Sequence, residues 1–146
     1  MLDYNGKIIP SSEYSVSYYS KTSAIGAHNL SVTFKGSKYS GKLTKTYYII
    51  PKGTAVKTVV AGKGTLKLNW VKQRTQTNGY HIRYSTNKHF TSGVKSALIK
   101  NNNVAAFTLK KLAGKKAYYV QIRTYKTVAK KNYYSPWSKV VGKVTK

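Results

Sequence analysis

Acid, base and metal chemistry in this sequence would have to come from very few side chains: His28, His81 and His89, the carboxylates Asp3 and Glu13, and no cysteine. The histidines fall in no His-x-His or Glu-x-x-His pattern, the spacings that turn imidazoles into a metal site or pair one with a base. A glycosidase mechanism needs two carboxyl groups across the scissile bond. Here it would have to use both acids, and Asp3 stands close to a chain end, where fraying is expected. Serine and threonine are plentiful, but no histidine stands in a setting that marks a nucleophile's base. Gly62-Lys63-Gly64 reads as a hairpin turn between two strands and not as a phosphate-cradling loop, which would open a helix. Absence of cysteine removes disulfides and thiolate ligands together. The sequence therefore supports no catalytic residues, no metal ligands and no cofactor.

What the chain has in quantity is positive charge. It carries 27 basic and 2 acidic residues, a formal net charge of +25. The distribution is uneven. Residues 1–51 hold six lysines and both acids, whereas residues 52–146 hold 21 basic residues and no Asp or Glu. That second stretch cannot form salt bridges between its own side chains, cannot bind calcium through carboxylates and cannot do carboxylate acid/base work. It can only present surface. Lysine and arginine attract nucleic acid, anionic membranes and wall polymers through the same long-range field and counterion release. Only Arg74, Arg83 and Arg123 are arginine, the residue suited to bidentate recognition of phosphate and guanine. The skew to lysine predicts diffuse attraction and no specific nucleic-acid site. Lysine-rich faces also keep a β-protein soluble and blunt its edge strands.

The elements that carry this surface read as β-strands. Apolar residues alternate with polar ones in short blocks separated by Gly, Asn and Lys-rich turns, and nothing reads as a long helix. No run approaches the roughly 18 apolar residues of a membrane span. The N-terminal Met-Leu-Asp-Tyr-Asn-Gly lacks a basic segment followed by an apolar one, so no signal peptide is read. An extracellular location then implies that the chain is a fragment. Pro51-Lys52-Gly53-Thr54 ends one run of strands and coincides with the change in charge, dividing the sequence into modules 1–51 and 52–146.

In the first module, strands are expected at 14–18, 30–34 and 43–50, with a loop through Gly26 and a turn over 35–41. In the second, seven are expected, at 56–60, 65–71, 80–85, 94–99, 105–109, 117–125 and 138–144. This spacing is that of a β-sandwich. With side chains alternating across each strand, Leu66, Leu68 and Trp70, then Tyr80, Ile82 and Tyr84, then Tyr118, Val120, Ile122 and Thr124 make the inner faces. Lys67, Asn69, His81, Arg83, Gln121 and Arg123 point out. Tyr119, Tyr125, Tyr133, Tyr134 and Trp137 fall on the outer face or near the last loop. With Arg83 and Arg123 they form the candidate contact surface. Two roles are open to its rings: stacking on sugars, or packing under basic stems as a cation–π ladder.

Residues 54–146 resemble a fibronectin type III domain of the lysine-rich kind found in surface proteins of Gram-positive gut bacteria. The resemblance rests on four pieces together. Leu66-x-Leu68-x-Trp70 matches the second strand with its core tryptophan, and Gly79-Tyr80-x-Ile82-x-Tyr84-Ser85 the third. Leu112-x-x-Gly114-Lys115-x-x-Tyr118-x-Val120-x-Ile122 matches the tyrosine corner, and Ser135-Pro136-Trp137-Ser138 the start of the last strand. Residues 1–51 resemble the C-terminal part of a bacterial immunoglobulin-like surface repeat, through Glu13-Tyr14-x-Val16-x-Tyr18, Gly26-Ala27, Val32-x-Phe34-x-Gly36-x-x-Tyr39-x-Gly41 and Thr46-Tyr47-Tyr48-Ile49-Ile50-Pro51. A complete repeat of that kind has further strands ahead of these.

The resemblances imply an all-β chain: a seven-stranded antiparallel sandwich preceded by a smaller, partial immunoglobulin-like module. They imply a non-catalytic spacer or adhesion module of an extracellular or wall-associated bacterial protein. Its partners would be anionic wall polymers or glycans and the other domains of a parent chain. An accessory module of a secreted wall or carbohydrate hydrolase is the alternative reading, and nonspecific nucleic-acid binding a third. Surface modules of this kind sometimes carry Lys–Asn isopeptide bonds. Such a bond generally needs a buried acid to move protons, so none is expected in residues 52–146.

Overall fold

A computed structural model describes residues 1–19, 22–36 and 38–146. The chain is all-β and antiparallel, and it divides into two compact units, Met1–Ile49 and Ile50–Lys146.

The first unit is a single three-stranded sheet in the order β1 (Tyr14–Tyr18), β2 (Gly26–Phe34), β3 (Lys42–Ile49). Strand β2 begins at Gly26, where the alternation pattern predicts a loop. The reason is pairing. Gly26, Ala27, His28 and Asn29 are matched with Ile49, Tyr48, Tyr47 and Thr46 of β3, so backbone bonds extend the strand beyond its apolar part. Ser37 of the expected turn, and Ser20 and Lys21 of the expected loop, lie outside the described residues. The segment ahead of β1, where fraying is expected from the sequence, is hydrogen-bonded to itself. Asp3 Oδ1 accepts the N–H groups of Asn5 and Lys7 at 2.9 Å each, and Ile9 N–H donates to the Met1 carbonyl at 2.8 Å. Ile9, at the end of this tight loop, is buried, as are Ile25 and Val32.

The second unit is a fibronectin type III-like sandwich. One sheet is β4 (Val56–Gly62), β5 (Thr65–Trp70) and β8 (Ala106–Leu109). The other runs β10 (Lys131–Tyr134), β9 (Ala117–Val128), β6 (Gly79–Ser85), β7 (Lys95–Ile99), and the first turn of β9 also pairs with β11 (Val141–Val144). Between them lie Leu66, Leu68 and Trp70 from β5, Tyr80 and Ile82 from β6, and Val120 and Ile122 from β9, closed at one end by Leu109 and Leu112. Fully burying side chains of this size contributes about 1.5–3 kcal/mol each. The Tyr80 hydroxyl is buried but satisfied, accepting from Gln73 N–H at 2.8 Å and donating to the Asn102 carbonyl at 2.9 Å. Tyr118, half-buried against the core, accepts the Ala113 N–H at 3.0 Å and so pins the turn ahead of its own strand. Gly79 cannot carry a side chain, because a Cβ there would collide with the carbonyl of Ile99 on β7.

Eight strands form in this unit where the pattern gives seven. The additional one is β10, a hairpin partner of the end of β9. Its two-residue turn, Ala129-Lys130, has φ of 47° and 64°, the left-handed pair that a tight hairpin demands. Asn-Gly or Asp-Gly normally marks such a turn, and neither is present. The last strand is also shorter than expected, starting at Val141 instead of Ser138. Ahead of it, the Ser135 hydroxyl accepts the Thr124 N–H and the Ser138 hydroxyl accepts the Ile122 N–H, each at 3.1 Å. Their backbone N–H groups also donate, Ser135 to the Thr124 carbonyl at 3.1 Å and Ser138 to the Ile122 carbonyl at 2.9 Å, so the two serines fasten Pro136-Trp137 against β9 by backbone and side chain together.

Candidate functional site

The outer face of the β10–β9–β6–β7 sheet is built by strand register. His81 sits opposite Arg123, and Arg83 opposite Gln121. Tyr134 on β10 is opposite Tyr125. The fastened Ser135–Ser138 segment lays Trp137 over this face. The result is an alternating stack of rings and guanidinium groups. The Arg83 guanidinium carbon lies 4.5 Å from the ring centres of both Phe90 and Trp137. That of Arg123 lies 4.2 Å from Trp137 and 3.7 Å from Tyr134.

The edges of the guanidinium groups are engaged as well. Arg83 donates through Nε and Nη2 to Gln121 Oε1 at 2.9 and 2.6 Å, and Gln121 Nε2 donates in turn to the Ser138 carbonyl at 2.6 Å. Arg123 approaches His81 Nδ1 through Nε at 3.2 Å and Nη2 at 3.1 Å. For Nδ1 to accept, His81 must be neutral with its proton on Nε2. Burial, first, and then the charges of Arg123 and Arg83 push the His81 pKa below its ordinary value, which keeps the imidazole in that form. Burial likewise lowers the pKa of Arg123 from its ordinary high value.

The candidate contact residues do not form one surface. Arg83, Arg123, Tyr134 and Trp137 come together in the stack, all half-buried. Tyr125 differs from its expected exposure: it is only 4% exposed, its ring 6.1 Å from that of Tyr134. An outer-face position is not an exposed one when a hairpin partner carries a second ring beside it, and burial raises the Tyr125 phenol pKa. Tyr119 lies at the other end of β9, its ring against the Gly142 backbone. Tyr133 points to the opposite side of β10 from Tyr134, with Lys131 Nζ 5.6 Å from its ring centre. Sequence reasoning missed His81, Gln121 and Phe90 as members of the stack. The alternation placed the first two on the right face. Phe90 sits in the β6–β7 loop at φ 56°, and no sequence signal places it there.

Asp3 and Glu13 face different tasks. In the first unit Asp3 Oδ2 accepts the Tyr39 hydroxyl at 3.2 Å, and the N–H of Lys7 foremost holds its carboxyl below the ordinary carboxylate range. The Glu13 carboxylate lies against Gly36. Among the described residues, no group of three or more His, Cys, Asp or Glu side chains converges.

No model of a known protein family matches the chain, and no curated protein matches it. Solved structures do. The chain is similar to the chicken CNTN1 FN1–FN3 domains (18% identity, TM-score 0.56, covering 86% of this chain and 44% of that one). It is similar to a structure described as a myokine (19%, 0.51, covering 65% and 97%). It is also similar to a β-1,2-glucanase from Parabacteroides distasonis (15%, 0.52, covering 75% and 16%). At these identities the likeness is one of fold, and it makes the fold fibronectin type III-like.

Proposed function

We propose that this chain is a non-catalytic spacer or adhesion module of an extracellular bacterial surface protein, binding anionic wall polymers or glycans through its positive charge. In this reading residues 1–51 are the C-terminal part of an immunoglobulin-like repeat and residues 52–146 a fibronectin type III domain. One observation carries it. A β-sandwich presents 21 basic residues with no Asp or Glu among them, and the two arginines on the outer face of its larger sheet are occupied by rings, Gln121 and His81. The surface left for partners is therefore mostly lysine, suited to attraction without shape-specific recognition. The likeness to part of a glucanase favours a second reading, the accessory module of a secreted hydrolase whose catalytic domain is elsewhere.

Chromatography on an immobilised anionic polymer tests the first reading. Retention at low salt should vanish near 0.5 M salt, where the Debye length is only about 4 Å. Retention that persists there would require a specific site and overturn the diffuse mechanism.

A further inference from the structure

Seven exposed lysines lie on three joined segments at one end of the second unit. Three segments meet there: the β4–β5 turn Gly62-Lys63-Gly64, the β8–β9 connection 110–116, and the C-terminal stretch 143–146. Backbone bonds stitch them together. Lys146 N–H donates to the Gly62 carbonyl at 3.1 Å, Gly64 N–H to the Lys146 carbonyl at 3.3 Å, and Leu112 N–H to the Gly64 carbonyl at 3.0 Å. Thr145, only 4% exposed, donates its hydroxyl to the Ala113 carbonyl at 2.6 Å and accepts the Lys116 N–H at 3.1 Å. Half the residues of these segments are lysine, all of them exposed, with no arginine and no Asp or Glu. Lys111 and Lys115, at φ 56° and 53°, lie in sharp bends on either side of the buried Leu112. The backbone that carries these ammonium groups is thus fixed before any partner arrives.

We propose that this lysine cluster is the docking site for a flexible polyanion whose charges are phosphate groups. The proposal rests on reading the unit as a cationic interaction module, and it adds the place and the anion chemistry. Like charges crowded with no Asp or Glu among them raise the local potential, which a polyanion relieves while releasing its own counterions. Lysine meets phosphate as a point charge with freely turning donors and needs no planar partner. The cluster has no arginine fork to read base edges, which argues against a nucleic-acid duplex. Its loops supply no exposed aromatic platform for a neutral sugar. The unit's ring-and-arginine stack lies on the sheet face formed by β6, β9 and β10.

The test is binding of short-chain inorganic polyphosphate to the full chain across a salt series. A variant carrying Lys63→Gln, Lys110→Gln, Lys116→Gln and Lys143→Gln is compared with one carrying Lys52→Gln, Lys72→Gln, Lys100→Gln and Lys130→Gln, all at the opposite end of the sandwich. The first should bind about tenfold or more weakly, with a slope of log affinity against log salt shallower by about 3; the second should change slope by less than about 1. In the unsubstituted protein, amide resonances of residues 62–64, 110–116 and 143–146 should move on titration, which decides the matter even if a variant misfolds. Equal weakening of both variants, or shifts spread over the whole unit, would overturn the localisation and leave diffuse attraction standing. No binding by the unsubstituted protein at low salt would overturn the cationic-module reading itself. Tighter binding of duplex DNA than of polyphosphate at equal charge would overturn the assigned partner chemistry.

Discussion

The two units use the same strand grammar with opposite results. In the second, β5 sets Leu66, Leu68 and Trp70 against Tyr80, Ile82, Val120 and Ile122 of a facing sheet, and all are buried. In the first, the corresponding apolar face of β1–β2–β3 carries Val16, Tyr18 and Leu43, which remain 42%, 53% and 36% exposed. Among the described residues there, Ile9, Ile25 and Val32 are the buried hydrophobics. Alternation makes a strand, but a second layer makes a core. In the first unit the N-terminal loop supplies the buried Ile9, and Asp3 closes that loop by accepting the N–H groups of Asn5 and Lys7. The only two carboxylates of the chain thus serve the unit with the smaller core, whereas the unit with no Asp or Glu is held by burial.

The largest effect expected from this contrast is in the core. Leu68→Ala should cost about 2–5 kcal/mol and lower the main melting transition, since a fully buried leucine leaves a cavity behind. Hydrogen exchange should show residues 54–146 well protected and residues 1–51 labile. Equal protection in both halves would break the comparison. Next, Gly79→Ala should destabilise the second unit by about 1–3 kcal/mol, because β6 and β7 must separate to clear the new methyl from the Ile99 carbonyl.

Smaller effects sharpen the role of the ring-and-arginine stack. Trp137→Ala removes two cation–π contacts and should cost about 1–2 kcal/mol, read as a lower melting temperature. An unchanged melting temperature together with lost glycan binding would make Trp137 a ligand platform instead. The smallest effect is pH dependence. His81 has a folded pKa below its ordinary 6.5, so above that value neutral imidazole is present in both states and its contribution is complete. As pH falls below 6.5 the unfolded chain takes up the proton first, and stability declines towards the lower folded pKa. Melting temperature followed downward from pH 7.5 should fall more steeply for the native sequence than for His81→Asn. Parallel curves would remove His81 from the account.

Most of the sandwich was legible because its period was. The blocks at 65–71, 80–85 and 117–125 lie within a residue or so of β5, β6 and the start of β9, and Trp70 and Tyr118 pack where the alternation placed them. Burial of one face and exposure of the other leaves that mark in any strand. Strand β10 was not legible, since Ala129-Lys130 takes up left-handed dihedrals under constraint from the pairing of Tyr125–Val128 with Lys131–Tyr134. Nor was the stack legible as an assembly. Arg83, Arg123 and Trp137 were singled out, but Phe90 and the acceptor role of His81 Nδ1 depend on a loop path and on cross-strand register.

The residues by themselves bounded the chemistry, because charge, the scarcity of carboxylates and the lack of thiol are properties of composition that no folding can alter. They also determined the β-sandwich, because a two-residue period can bury only one face of a sheet. Only the tertiary structure decided which cations remain available. It placed Arg83 and Arg123 between rings and drew the lysines of three distant segments to one end of the sandwich. Those outcomes follow from hydrogen bonds between residues far apart in the chain, and local pattern carries no record of them.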